Sequence, residues 1–586
     1  MKKFLIGLAA GFFLAGLACV IAVFTVARLG DRRPTVPDDA TLVMRLGGDM
    51  PEIAPVEIPL PMFASQSPLT VIEVWDVLRK AERDNRIKAV VLEPKGFSEG
   101  WAKMQEIRDA IVRFKKSGKP VYAFLRTPRA KDYYLATAAD KIYLTSEDYL
   151  DVKGMRAEIG YYRRTLDKIG VAFEIEHAGR YKDAMDTFTR DSMSPETRQV
   201  LDTILDTLYG HLVDTIAAGR KKTPAEIRAA IDDGPLLAKQ ALELRLVDGL
   251  KFEDQVFDEV KTSLKQKDIH KLSHRDYSRV PASSIGMGGG TRVAMVVGQG
   301  EITRGGGGDG IGDDQGIRSA TFGKLLRKVA ADDSIKGVVL RIDSPGGDAI
   351  ASEEILHDVR ELSKKKPMIV SMSDTAASGG YYISMTGDPV VAYPGTFTGS
   401  IGVIYGKINV AGLYDKLGIR TEILTRGRNA DIDSIVKPMS EAARRKLRDG
   451  IDATYRTFLE RVAEGRRKKP TEIAPLAEGR VWLGSQAVAN GLVDEIGGLD
   501  RAFDLLRNKL KLDSKEKLQI VVYPAKRTIL EEIFGSADRD SDSALAAAIR
   551  QRLRARLREV GLGALDPAVW QTGGFLARAP FTVVVE

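Results

Sequence analysis

Through the second half of the chain, short apolar runs rich in β-branched residues are bounded by Gly, Pro or Asp. Between them, apolar positions return every three or four residues. VAMVVG from Val293, GVVLRID from Gly337, PMIVSMS from Pro367 and VVAYP from Val390 read as buried strands. ATFGKLLRKVAADD from Ala320, SEEILHDVRELSKK from Ser352 and SGGYYISMTG from Ser378 read as helices. Strands alternating with helices predict an α/β unit built on a mostly parallel sheet. Further helices are predicted over Ser440–Glu464, Gly484–Asn490 and Leu499–Leu510, placed to pack between units.

The pattern occurs twice. DNRIKAVVLEPKG from Asp84 matches DDSIKGVVLRIDSPGG from Asp332, with Ile87 and Ile335 separated by 335 − 87 = 248 positions. The same separation pairs Tyr133 with Tyr381, Asp140 with Asp388, Asp167 with Asp415 and Gly179 with Gly427. IAAGRKKTPAEI and VAEGRRKKPTEI then match at 465 − 219 = 246, as do LVDGL and LVDEI. A register held over about 160 residues marks a tandem duplication. The expected organisation is a first repeat over 38–264, a polar linker over 265–291, a second repeat over 292–515 and an extension over 516–586.

Composition adds limits. With 586 residues, 44% hydrophobic and 29% charged, the chain is globular and long enough for more than one core. The net charge of +8 is small beside 88 basic and 80 acidic residues, so no nucleic-acid partner is expected and a membrane surface explains the excess better. The single cysteine, Cys19, excludes an intramolecular disulfide and a cysteine zinc cluster.

The segment Phe4–Ala27 is uncharged and mostly apolar over 24 residues, where a bilayer needs about 20 as helix. Residues 1–30 are expected to form a retained single-pass anchor; the alternative, a cleaved signal peptide, lacks a small-x-small site closing the run. Lys2 and Lys3 oppose Arg28, Arg32 and Arg33 across it, so charge leaves the orientation open. TRGGGGDGIGDDQG from Thr303 has no Walker pattern and reads as a loop. AIRQRLRARLREV from Ala548 reads as a basic helix with a solvated or lipid-facing side.

Chemistry is expected where the copies differ. Ser378 corresponds to Ala130, and Gly379 and Gly380 to Lys131 and Asp132; in the other direction Lys182 corresponds to Ala430. Each copy lacks one half of a serine and lysine pair. A serine hydroxyl needs a base to become a nucleophile, and lysine can replace histidine in that role. None of the five histidines, His177, His211, His270, His274 and His357, stands at a repeat position suggesting a relay. To act near neutral pH the Lys182 amine must be held well below its ordinary value near 10.4, which calls for burial. Gly379, opening the predicted helix, is placed to donate its N–H to an oxyanion, and Gly346 or Gly347 of DSPGG is placed to supply a second donor. Singly, each signal has a plain structural explanation: serine is a common helix N-cap and DSPGG a turn. Their complementary loss in two aligned copies joins them.

The motifs DSPGG, AASGGYYIS and TFTGSIGV of the second copy and GRYKDAMDTFTRDSMSPE of the first resemble the long, tandem-repeat form of the bacterial signal peptide peptidases, peptidase family S49. The resemblance covers roughly residues 40 to 520. It implies a ClpP/crotonase-like α/β fold, a nucleophile at Ser378, a general base at Lys182, and Ser400 of TGSIG orienting the lysine amine. It further implies a homotetrameric bowl anchored in the bacterial inner membrane with its bulk in the periplasm, degrading remnant signal peptides. No cofactor or metal is implied. Two other readings remain open on the residues: acyl-CoA chemistry on a crotonase-like fold, for which the motifs lack the carboxylate, and a membrane scaffold that binds peptides without cutting them.

Overall fold

The computed structural model describes residues 34–54, 68–306, 316–513 and 516–525, together with a short backbone strand at 576–578. The segment expected as an anchor, residues 1–30, lies outside these, as do the Gly/Asp loop after Gly306 and the basic stretch from Ala548. Among the described residues no helix is long and apolar enough to cross a membrane.

The duplication is visible in the strand order. From one edge to the other, the first sheet runs Gly249–Leu250, Lys141–Leu144, Val121–Leu125, Ile87–Phe97, Ala40–Gly48 and His270–Ser273, all parallel. The second runs Glu495–Ile496, Val390–Ala392, Met368–Ala377, Gly337–Ser344, Thr291–Gln299 and Leu518–Tyr523, again all parallel and in the same order. A short Phe397–Gly399 strand pairs parallel with the C-terminal end of Met368–Ala377 and antiparallel with Val481–Leu483. Two segments expected outside the repeats thus belong to them. Residues 270–273 of the expected linker and 518–523 of the expected extension each complete a sheet edge, because one edge strand needs only a few alternating apolar residues, such as Leu272.

The sheets and helices form alternating layers. Leu42, Met44, Val90 and Leu92 from one face of the first sheet share a core with Val293, Met295, Val297 and Val339 from one face of the second. Between them lie helices Val71–Arg83 and Trp101–Lys115, with Trp75 stacked on Phe503 at 5.6 Å. The other face of the second sheet, including Ala294, Val296, Val338 and Leu340, packs on its own helices Ser319–Ala331 and Ala349–Lys365. Burial on both faces is why these strands read as unbroken apolar runs.

The junction between repeats is also held by buried charge. Arg341 projects from the second sheet to Glu52 (2.8 Å) and Glu106 (3.1 Å) of the first repeat. Helix Trp101–Lys115 starts at Gly100, where the second repeat has Asp348, the residue that caps its own helix through Ala351 N–H (2.8 Å). Gly100 has no side chain to do this, and Asp374 of the second repeat accepts from Gly100 N–H (2.7 Å) and Lys103 N–H (2.8 Å) instead. A helix of one repeat is therefore capped by the other. The Lys103 ammonium reaches Glu99 (2.7 Å), Asp343 (3.0 Å) and Asp374 (4.0 Å). One cation thus serves three carboxylates. Burial pushes the Glu99 carboxyl up to about 8 although Lys103 opposes it.

A carboxyl whose folded value exceeds its unfolded one stabilises the fold while protonated. That contribution is complete below the ordinary 4.5 and is lost as pH rises through about 8. The thermal midpoint of wild type, followed from pH 4.5 to 8, is expected to decline relative to that of Glu99→Gln. Curves that stay parallel across that window would remove Glu99 from this account.

Candidate active site

Ser378 stands at a sharp turn. The Met368–Ala377 strand ends on it and helix Gly379–Ile383 begins directly after, with Ser378 at φ 53° and ψ −115°. Such a conformation is strained for a residue with a side chain and persists only where neighbours hold it. Here Ser378 N–H donates to Gly399 O (2.8 Å), and Ser378 O accepts from Tyr382 N–H (2.8 Å). A Cβ at Gly380 would lie 2.5 Å from Ser344 O, so only glycine lets the helix start against DSPGG. The Ser378 hydroxyl makes no capping bond to the helix, which removes the plain N-cap explanation for a serine at this position.

Lys182 reaches this turn through a strand that crosses between repeats. Ala172–Ala178 of the first repeat pairs antiparallel with Val403–Asn409 of the second, from Val403 opposite Ala178 to Asn409 opposite Ala172. Lys182 follows the end of one strand by four residues and Ser400 precedes the start of the other by three, so the register brings them to the same place. Segment Glu478–Arg480 clamps both. Glu478 O accepts from Tyr181 N–H (2.8 Å), Gly479 N–H donates to Ile401 O (2.8 Å), and Arg480 O accepts from Ser400 N–H (2.7 Å). Gly479, at φ +74°, lies where a Cβ would come within 2.7 Å of Lys182 N and Cβ. Nothing in the sequence marks this glycine, which carries no motif and becomes a neighbour of Lys182 only through the fold.

Lys182 is 1% exposed, and Ser378 and Ser400 are fully buried. Its Nζ lies 2.8 Å from Ser378 Oγ and 3.0 Å from both Ser400 O and Ser400 Oγ. Burial holds the amine well below its ordinary value, and Asp183 pulls weakly the other way. Burial also pushes the Asp183 carboxyl up, to about 6, while Thr197 donates a hydrogen bond to it. Among the described residues no carboxylate oxygen forms an ion pair with Lys182. A neutral amine has two N–H donors and one lone pair, which match two Ser400 acceptors and the Ser378 hydroxyl.

Gly379 is the first residue of the helix after Ser378. Gly346 and Gly347 form the strand Gly346–Asp348, both at positive φ (100° and 157°), and Gly346 N–H donates to Ser344 Oγ at 3.1 Å. This strand belongs to a third sheet, ordered Ile317–Arg318, Ile302–Thr303, Gly346–Asp348, Leu576–Arg578, Val403–Asn409 and Ala172–Ala178. Among the described residues no group of three or more His, Cys, Asp or Glu side chains is arranged to hold a metal ion.

Residues 113–267 and 360–513 each match the model of Peptidase family S49. The chain belongs to peptidase family S49. The two matched stretches contain Lys182 in one case and Ser378 and Ser400 in the other, and DSPGG falls between them. Protease 4 of Salmonella typhi is 32% identical over 504 residues, which cover 83% of this chain and 79% of that protein. Protease 4 of Haemophilus influenzae is 31% identical, covering 84% and 82%. The chloroplastic serine protease SPPA of Arabidopsis thaliana is 31% identical, covering 80% and 70%. This S49 chain is therefore a serine protease of the tandem-repeat form.

Lys182→Met is expected to fold and to melt higher than wild type near neutral pH. The unfolded lysine is protonated there, while burial disfavours the charged amine in the folded protein, so folding carries that cost. That cost is absent above the ordinary value of 10.5 and grows as pH falls below it. The gap between the two melting curves should close as pH approaches 10.5; a gap independent of pH would mean that burial does not depress this amine.

Proposed function

We propose that this chain is a membrane-anchored endopeptidase in which Lys182 and Ser378 act as a catalytic dyad spanning the two repeats. The reading is carried by one observation, the 2.8 Å contact between Lys182 Nζ and Ser378 Oγ in a buried site. The neutral Lys182 amine takes the Ser378 proton as Oγ attacks the carbonyl carbon of a peptide bond. The tetrahedral oxyanion is held by Gly379 N–H and by a donor from the Gly346–Gly347 pair, where Gly346 N–H at present rests on Ser344 Oγ. Protonated Lys182 then delivers its proton to the leaving amine nitrogen. The bond to that nitrogen breaks and leaves an ester on Ser378, which water hydrolyses with Lys182 again as base. Ser400, accepting from Nζ through two oxygens, aims the lone pair at Ser378.

The substrate class we assign is apolar signal peptides after their release. The resemblance in the motifs supports this, as does the uncharged stretch Phe4–Ala27, which would keep the enzyme where such peptides accumulate. The same reasoning puts the anchor in the bacterial inner membrane and the repeats on the periplasmic side, on a ClpP/crotonase-like scaffold. For the homotetramer we propose, the repeat alignment offers a head-to-tail contact. At the 248 offset, residues 155–161 correspond to Val403–Asn409, and 420–426 to Ala172–Ala178; both are irregular here. Leu424 is 92% exposed and Leu417 64%. If 420–426 of one copy pairs with 155–161 of the next, the crossing strand pair recurs head to tail and closes a ring.

Cleavage of a synthetic signal peptide by purified protein tests the dyad. Ser378→Ala and Lys182→Met are expected to lose at least about 10⁴-fold in kcat/KM, and Ser400→Ala about ten-fold. In wild type, kcat/KM should rise with pH as the Lys182 amine loses its proton and level off well below 10.5. Full activity in Lys182→Met would end the dyad reading. Ile423→Glu with Leu424→Arg should lower the assembled mass in sedimentation while leaving the thermal midpoint of the repeats in place.

A further inference from the structure

Arg341, Asp343 and Asp374 stand together near the carboxyl ends of the second sheet's strands, in a cleft that the first repeat fills. Arg341 meets Glu52 and Glu106, Asp343 meets Lys103, and Asp374 caps the helix at Gly100. The first sheet has a cleft at the same place. Arg45, Leu46, Glu93, Lys95, Phe124 and Arg126 are among the residues around its cavity of about 280 Å³. At the 248 offset, Glu93, Lys95 and Arg126 correspond to Arg341, Asp343 and Asp374. Asp374 is 8% exposed, whereas the Arg126 side chain is 52% exposed. Glu93 is 7% exposed, and its buried Oε1 has no hydrogen-bond partner among the described residues.

The counterpart of the inserted helix start lies on the second repeat. Asp348 stands for Gly100, Ile350 for Ala102 and Glu354 for Glu106. Along the leading strand of each sheet the separation is 252, because Arg45 lies opposite Glu93 as Val297 lies opposite Arg341. That separation sets Arg304 where Glu52 stands, and Ile302 pairs with Gly347 as Met50 meets Glu99. Ala102 is 1% exposed in the junction; Ile350 is 50% exposed.

Between the two sets of positions the charges are exchanged. Arginine facing glutamate, Arg341 with Glu52, becomes glutamate facing arginine, Glu93 with Arg304. The acid that caps a bare glycine, Asp374 at Gly100, becomes a cation opposite an acid, Arg126 with Asp348. A Cβ at Gly100 would lie 2.5 Å from the Asp374 carboxyl carbon, so a side chain at that position points straight across. Arg304 and Asp348 already hold each other at 2.8 Å, and Arg126 and Glu93 at 3.3 Å, which makes two complementary pairs. Glu354 keeps the acid of Glu106, and Arg45, where the second sheet has Val297, supplies a cation for it.

We infer that the cleft at Glu93, Lys95 and Arg126 receives the start of helix Ala349–Lys365 from a second copy of this chain, in the pose that the second repeat's cleft gives Trp101–Lys115. The inference rests on the head-to-tail ring proposed above and names the charges that enforce its order. Two first repeats brought together would set Lys103 against Lys95 and Arg126. Two second repeats would set Asp348 against Asp343 and Asp374. Exchanged charge therefore admits only alternation of first and second repeats around the assembly.

Sedimentation of the full-length protein in one detergent tests this with two variants. Arg126→Glu alters the cleft; Asp348→Asn with Glu354→Arg alters the helix start, and asparagine keeps the cap. Each variant alone sets like charges together and is expected to raise the dissociation constant of the assembly at least about ten-fold. An equimolar mixture of the two is expected to return to the wild-type mass, because every cleft then meets an opposite charge. Ile350→Asp, at an exposed position, is a second helix-start variant with the same expected loss. Wild-type mass in all variants, or a mixture that stays dissociated, would overturn the inference and leave the ring. A wild type that sediments as a monomer at every concentration would end the ring and the inference with it.

Discussion

The antiparallel pairing of Ala172–Ala178 with Val403–Asn409 sets the distance between Lys182 and Ser400, and through Ser400 the approach to Ser378. Strand register is quantised: a slip of one residue displaces the chain by about 3.4 Å and turns its side chains to the other face. A 2.8 Å contact between side chains from different repeats cannot survive such a slip. The pairing is in turn secured by what covers it. Helix Glu441–Arg466 lays Ala443, Leu447 and Ile451 against Ala178, Val403 and Tyr405, and its Arg444 and Arg448 pair with Glu176 of the crossing strand.

Joining two repeats this way places a lysine amine in a dry site, which is unfavourable for an ammonium and suited to a base. The fold offsets that term with the interface beside it. Arg341 and Lys103 meet carboxylates from both repeats, and Asp374, four residues before Ser378 on the same strand, caps a first-repeat helix. The strand that carries the serine is thus tied by a charged cap to the repeat that carries the lysine. Moving one repeat relative to the other would uncap a helix as well as separate the pair, so the charged junction gives the site rigidity along with the apolar core between the sheets.

Duplication followed by divided loss explains why neither repeat is complete. The first lacks the serine and its own helix cap, where Ala130 and Gly100 stand for Ser378 and Asp348; the second lacks the lysine, where Ala430 stands for Lys182. In each case the other copy supplies the missing group. What the copies retain is the parallel strand order, because a sheet buried on both faces depends on pattern more than on particular side chains.

The repeat, the α/β class and most strands and helices of the second copy followed from the sequence alone, because apolar periodicity and a constant 248-residue offset are local or directly comparable quantities. The same comparison singled out Ser378 and Lys182, since a difference between aligned copies needs no coordinates to be seen. Tertiary structure alone decided the rest. It turned parts of an expected linker and an expected extension into sheet edges, brought Gly479 against Lys182, and set a tail segment between two strands of the third sheet. Edge strands and close approaches are satisfied by partners hundreds of positions away, and their own residues carry only short alternations or single glycines. The composition of a segment says which partners it can accept; only the packed chain determines which one it meets.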